Sequence, residues 1–181
     1  MINLNQLQQI LNTSEKLNEF AAHYNWDDGF EVPVWIINNP QCDRGTALMM
    51  YWRAEPQYFC KYATCDDIPN SGWQISHYDF IREVEEKYIN GFYKFQEILF
   101  NPRYDMSSGM EGYDWTQEDN EIPQHRKIPA EMFEPSIQDA NWEKAGKPIK
   151  PIKKIDYDNL FKPIDERIKQ LEDELFDENS D

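Results

Sequence analysis

The feature that most constrains the fold is a series of helix-breaking and helix-capping residues between Gly29 and Pro56. Pro33 fits only the first turn of a helix, because deeper in a helix its ring would clash with the preceding turn. That helix must end at Asn39-Pro40, since proline disfavours the helical conformation in the residue before it. Asp43 can cap a second helix that ends before Pro56. The pattern predicts two short antiparallel helices joined by a tight turn.

Apolar residues at helical spacing predict further helices elsewhere in the chain. These cover residues 3–12, 14–24, 76–90, 92–100 and, as a short candidate, 130–133. A last apolar stripe predicts a helix over residues 156–176, and it consists of Leu160, Phe161, Ile164, Ile168, Leu171 and Leu175. Pro163 must lie in the first turn of this helix or mark a kink. The sequence therefore predicts a mainly α protein, with antiparallel helical hairpins packed as one bundle or short solenoid.

The composition changes twice along the chain, which suggests three parts. Residues 1–102 are expected to form the helical domain. Residues 103–155 read as an irregular extension, first acidic and then basic. The helix at residues 156–176 is expected to dock on the helical body, or to pair with a second copy in a homodimer.

The net charge limits the kinds of partner that the chain can be expected to bind. A formal net charge of −16 over 181 residues argues against binding to nucleic acid or to an anionic membrane, whose phosphates would repel the chain. It favours a basic protein partner. The odd set of Cys42, Cys60 and Cys65 indicates a reducing compartment, and the start MINLNQLQQI has no signal-peptide pattern. A cytoplasmic location is the expectation.

The most suggestive stretch for function runs from Tyr104 to His125. It has no Lys or Arg and carries six acids among aromatic residues and methionines. Long irregular segments in compact domains are often functional. Carboxylates would face a basic surface, and Tyr and Trp would anchor the contact. The predicted partner-binding residues are Asp105, Glu111, Tyr113, Asp114, Trp115, Glu118, Asp119 and Glu121. The alternative is a solvated acidic loop that contacts nothing.

Two groups of residues contain side chains that could bind a metal ion, but neither has the ligand pattern expected of a metal site. Asp27-Asp28-Gly29 lacks the ligand series that calcium needs, and a turn with a helix cap explains it better. Cys60, Cys65 and His77 lack the fourth ligand of a structural zinc site. The sequence therefore predicts no metal, no cofactor and no catalytic residues.

The stretch from Tyr24 also resembles a known family. It is similar to a motif of the bacterial domain of unknown function 4274. The similar residues are Tyr24-Asn25-Trp26-Asp27-Asp28-Gly29, then Pro33, then Asn39-Pro40-Gln41-Cys42-Asp43-Arg44-Gly45-Thr46-Ala47-Leu48. The resemblance covers about Leu17 to Ala54, and Asn39 stands where a histidine often precedes the proline. It implies a small soluble helical domain with no established activity. Proteins of this kind often look like immunity or accessory proteins of toxin systems.

Three classes of function follow from these observations. The leading hypothesis is an acidic protein-binding module, an immunity-type inhibitor that masks a basic surface of a cognate bacterial toxin. The second is an adaptor or scaffold domain, in which the terminal helix carries assembly. The third, less favoured, is a metal-assisted hydrolase that uses Asp27, Asp28 and Asp43.

Overall fold

The computed structural model describes residues 4–69, 72–107, 110–117 and 124–137. Within these ranges the chain is helical and has no β-strand, only one isolated bridge between Asp43 and Phe95. The α-helices are α1 (Leu4–Ile10), α2 (Ser14–Ala22), α3 (Glu31–Asn38), α4 (Arg44–Arg53), α5 (Pro56–Phe59) and α6 (Gly72–Ile89). Short 3-10 helices span Trp26–Asp28, Cys65–Asp67 and Ala130–Phe133. The prediction of a mainly α fold is confirmed.

Helix α4 is the centre of the core. Every residue from Gly45 to Trp52 is buried, so this helix is enclosed on all sides, as its nearly uninterrupted apolar sequence requires. It packs against α2, α5 and α6. Although only a short turn joins α3 to α4, α3 packs mainly against α2 and α6.

The capping signals place the central helices as predicted. Helix α3 starts two residues before Pro33 and ends at Asn38. Asp43 caps α4, where its side chain accepts a hydrogen bond from the Gly45 amide (2.7 Å). At the start of α2 the cap is Thr13, whose side chain accepts a hydrogen bond from the Lys16 amide (3.3 Å).

The predicted helix over Phe92–Phe100 is absent from the structure. Gly91, with a φ of +68°, ends α6, and the chain then runs without helix past the start of α4. The Arg44 amide donates to the Phe95 carbonyl (2.9 Å), and the Glu97 amide donates to Asp43 (2.8 Å). These tertiary hydrogen bonds take up backbone groups that a helix would have used internally.

Helix α6 also starts earlier than predicted. It begins at Gly72, so Ser76, the first residue of the predicted helix, lies inside the observed one. The Ser76 hydroxyl donates to the Gly72 carbonyl (2.9 Å), a bond that serine can make within a helix.

Residues 124–137 are held against the helical body. The His125 and Arg126 amides both donate to the Cys60 carbonyl (2.8 and 3.1 Å). Arg126 pairs with the buried Glu85 (2.9 Å), which also accepts from the Tyr51 hydroxyl (2.6 Å). Burial beside Glu85 raises the pKa of Tyr51 well above its usual value, so the phenol stays a donor.

The short helix Ala130–Phe133 fastens this segment. Met132 is fully buried, and its carbonyl accepts from the indole of Trp52 in α4 (2.8 Å). Residues on both sides of position 102 therefore contribute to the core.

The domain division at residue 102 and the helix at residues 156–176 stay predictions, and that helix lies outside the described residues. None of the helices in the described part of the chain combines the length and apolar character needed to cross a bilayer.

Candidate protein-binding face

Residues 101–117, here called the acidic-aromatic loop, fold back on themselves through backbone hydrogen bonds. The Asp105 amide donates to the Tyr113 carbonyl (2.9 Å), and the Gly112 amide donates to the Asp105 carbonyl (2.7 Å). The Trp115 amide donates to the Pro102 carbonyl (2.8 Å). Because these bonds join the two arms of the loop, its described residues have a fixed conformation without regular secondary structure.

Asp105 is the anchor of the loop. Its carboxylate is 0 % exposed and accepts from the Ser107 amide (2.7 Å), the Ser107 hydroxyl and the Trp115 indole (2.9 Å). The guanidinium of Arg53, at the end of α4, lies 3.7 Å away. Burial lowers the pKa of Arg53, and Asp105 offsets this effect, so the two charges stabilise each other inside the fold.

The expectation that Asp105 contacts a partner is therefore wrong. A carboxylate that is fully enclosed and surrounded by donors cannot reach another protein. In the sequence, Asp105 looks the same as the neighbouring acidic residues. Composition does not distinguish an acid that holds a loop together from one that faces water. The donors that hold it, Trp115 and Arg53, lie 10 and 52 positions from it in the chain.

The other predicted residues of the described loop lie at or near the surface. Tyr113 is 52 % exposed, and Glu111 is exposed beside it. Asp114 is half-buried and accepts from the amide and hydroxyl of Thr116 (2.9 and 2.7 Å). The ring of Trp115 packs edge-on against Tyr113, with centroids 4.7 Å apart. Glu118, Asp119 and Glu121 lie outside the described residues.

Two exposed residues of the loop were not among the predicted contacts. Tyr104 and Met106 expose large apolar side chains, and Tyr104 lies 3.7 Å from the place where a side chain on Gly112 would begin. We define the aromatic face as Tyr104, Met106, Glu111 and Tyr113. The sequence did contain a signal for these two residues, because aromatic residues alternate with acids in this stretch. Which of the aromatic side chains are exposed, however, depends on the conformation of the loop.

The proposed metal ligands are not brought together. Among the described residues, no three His, Cys, Asp or Glu side chains are placed to hold a metal ion. Asp43 is enclosed and engaged with the Gly45 and Glu97 amides, whereas Asp27 and Asp28 are exposed. The hydrolase hypothesis thereby loses the carboxylate set on which it was based.

His77 is buried in an aromatic cluster away from any ligand set. Its ring centroid lies 4.7 Å from those of Phe30 and Phe59 and 4.8 Å from that of Trp73. This burial lowers the pKa of His77 to about 4, and the Ala54 carbonyl offsets the shift only in part. The imidazole is therefore neutral at pH 7 and belongs to the core.

The residues of the family motif support the fold directly. The Tyr24 hydroxyl donates to the Gly29 carbonyl (2.9 Å), and the Asn25 side chain accepts from the Asp27 amide (3.3 Å). Gly29 has a φ of +92°, a conformation that other residues rarely adopt. A side chain on Gly45 would begin only 2.1 Å from the Ile98 carbonyl oxygen. The motif thus specifies turns and close packing.

Fold and face together define an α-helical domain that carries a fixed, exposed acidic-aromatic loop. Residues 12–89 match the family described as Domain of unknown function (DUF4274). This confirms the resemblance and extends it beyond the predicted range of Leu17 to Ala54, to the end of α6. No curated protein and no solved structure matches the chain.

Proposed function

We propose that this protein is a binding module whose aromatic face contacts a basic protein partner, and that it acts as an immunity-type inhibitor of a cognate toxin. The observation that carries the proposal is the exposure of Tyr104, Met106 and Tyr113 on a loop whose backbone is fixed by internal hydrogen bonds. Large apolar side chains displayed in this way are typical of interaction surfaces.

The fixed loop favours binding because little conformational freedom is left to lose. Ordering a mobile loop would cost part of the interaction energy, whereas this loop already has its conformation through the Asp105 contacts. Tyrosine suits such a site, since it offers a large apolar ring and a polar tip on a short side chain.

The charge of the chain indicates the kind of partner. Glu111 lies within the face, and the net charge of −16 would attract a basic protein and speed the encounter at low salt. An inhibitor of this type would cover the basic surface with which a toxin holds its own acidic substrate. Burial of the aromatic side chains would supply affinity, and the charges would supply association rate and selectivity.

The test is co-expression of the full chain with the product of the adjacent gene, followed by calorimetric titration of the purified pair and an assay of protection from toxicity. We expect Tyr113→Ala to weaken binding by about 30-fold, the effect of losing a central tyrosine anchor. Glu111→Lys is expected to slow association and to reduce its salt dependence.

Trp73→Ala provides the matched control, because Trp73 is an equally exposed aromatic residue (51 %) on α6. It should leave the affinity unchanged. A tight complex that tolerates Tyr113→Ala would refute the assignment of the face. A folded chain that neither binds nor protects would refute the inhibitor proposal, and a complex without protection would favour an adaptor.

A further inference from the structure

A cluster of aromatic side chains between the turn at Trp26–Asp28 and the start of α6 is partly open to solvent. Trp73, in the first turn of α6, is 51 % exposed, and Trp26 is half-buried. Both contact Phe30 and His77, which are buried. We call these four residues the tryptophan corner. It lies on other segments than the aromatic face, so the proposed contact with a basic protein does not use it.

The two indole rings of the tryptophan corner are set at a right angle to each other. The Trp26 ring is stacked with the His77 ring (6.3 Å between centroids, 6° between planes), whereas the Trp73 ring is perpendicular to the same imidazole (4.8 Å, 90°). Phe30 contacts both indoles, with centroids 5.7 Å from Trp26 and 6.3 Å from Trp73. A cation placed at such a corner can face more than one π-surface, and tryptophan is the ring that attracts cations most strongly.

Acidic side chains surround the tryptophan corner. Asp27, Asp28 and Glu31 are exposed and lie next to it in the chain. Burial, and then the charges of Asp28 and Glu31, raise the pKa of Tyr24, whose ring packs against that of Trp26 (6.0 Å between centroids). The negative charge of these carboxylates therefore reaches the rings.

Positive charge is missing from the two segments that supply the corner. Residues 17–43 and 62–81 contain no Lys or Arg. The four cations that border these segments are each engaged elsewhere: Lys16 bonds to an asparagine, Arg44 and Lys61 lie over tyrosine rings, and Arg82 pairs with a buried glutamate. A cation at the tryptophan corner would therefore meet acidic side chains and neutral rings.

The surroundings favour a cation that needs no hydrogen-bond acceptor. The head groups of lysine and arginine carry several N–H donors, which require acceptors once they leave water. Polar groups beside the corner already have partners, since the Gly29 carbonyl accepts from the Tyr24 hydroxyl (2.9 Å) and Asp28 accepts from the Asn25 amide (3.4 Å). A quaternary ammonium group donates no hydrogen bond, so ring faces and a negative potential are enough to hold it.

We propose that the tryptophan corner binds a quaternary ammonium group, such as the trimethylammonium of choline. The indoles of Trp26 and Trp73 contact the methyl groups, and Asp27, Asp28 and Glu31 attract the charge. The site is independent of the proposed inhibition of a toxin, because a protein made of ordinary amino acids contains no quaternary ammonium.

The experiment titrates choline into the isotope-labelled full chain and follows the indole N–H signals of Trp26 and Trp73 by NMR. We expect saturable shifts of both signals with a Kd in the millimolar range, as for other ligands of this size. The neutral analogue of choline, in which a carbon atom replaces the nitrogen, has the same shape. It should bind about tenfold more weakly, because it lacks the attraction between cation and ring.

Trp73→Leu separates the aromatic ring from its apolar bulk. It should weaken choline binding about fivefold, as reported by the Trp26 signal, and change binding of the neutral analogue by less than about twofold. Glu31→Gln leaves the rings untouched and should weaken choline binding about twofold at low salt. Tyr113→Ala is the matched control, since Tyr113 is equally exposed (52 %) but lies on the aromatic face. It should leave choline binding unchanged.

Equal affinity for choline and its neutral analogue would overturn the proposal, because the corner would then be only an apolar surface. Choline binding that tolerates both Trp73→Leu and Glu31→Gln would also overturn it. Tighter binding of arginine ethyl ester than of choline would overturn the ligand class and assign the corner to a basic side chain of a protein. Circular dichroism verifies that each variant keeps the helical fold.

Discussion

Asp105→Asn is the sharpest test of the idea that one buried carboxylate holds the binding loop in place. Asparagine keeps the size of the side chain and one acceptor oxygen. Its amide replaces the second oxygen, so either Ser107 or the Trp115 indole loses its acceptor, and Arg53 faces a neutral group. The substitution therefore removes a charge and a hydrogen bond without leaving a large cavity.

The magnitude follows from the surroundings of Asp105. A buried donor left without an acceptor costs about 1–3 kcal/mol, and breaking a buried ion pair costs about 3–5 kcal/mol in all. The separation of 3.7 Å between Asp105 and Arg53 places the expected loss toward the lower end, at about 3 kcal/mol. With a urea dependence of about 2 kcal/mol per M, the unfolding midpoint should fall by about 1.5 M.

The assay is urea unfolding of the full chain, combined with hydrogen exchange of peptides from residues 101–117. Asp114→Asn serves as the control, because Asp114 is half-buried and bonds only to the neighbouring Thr116 among the described contacts. It should cost less than about 1 kcal/mol. If Asp105→Asn lowered the midpoint no more than Asp114→Asn, and loop exchange stayed slow, Asp105 would not be the anchor.

Two further predictions concern the body. Gly45→Ala should lower the free energy of unfolding by about 3 kcal/mol or prevent folding, because the added Cβ would lie 2.1 Å from the Ile98 carbonyl oxygen. Gly72→Ala is the control in the same urea assay. It should be nearly neutral, because a Cβ on Gly72 would have nothing within 4 Å. The lowered pKa of His77, about 4, means that the unfolded chain binds a proton below pH 6.5 while the folded chain does not. The contribution of His77 to stability should therefore fall by about 2 kcal/mol between pH 7 and pH 5, and His77→Phe should remove this contribution. Identical pH profiles for the two proteins would contradict the account.

Local signals in the sequence were sufficient where one residue type decides the backbone. Pro33 and Pro40 bounded α3, and Asp43 marked the start of α4, because their effects act within a turn of the chain. The short helix at Ala130–Phe133 was also predicted correctly. These assignments needed no knowledge of tertiary contacts.

The sequence failed where distant groups compete for the same backbone or side chain. Phe92, Phe95, Ile98 and Leu99 have helical spacing, yet Asp43 and Arg44 hold this segment in an irregular conformation. Asp105 resembles the other acids of its stretch, yet its environment comes from Arg53 and Trp115. Periodicity and composition describe a segment by itself and contain no information about which partner it meets.

Stability and binding are expected to depend on different parts of this chain. The family match ends at residue 89, whereas the aromatic face begins at Tyr104. Motif residues such as Tyr24, Gly29 and Gly45 form turns and close contacts, so their substitution should lower stability first and affect partner binding only through unfolding. Tyr113 projects into solvent, so Tyr113→Ala should change affinity at nearly constant stability. The matched segment would then supply a scaffold, and partner specificity would come from the segment that follows it.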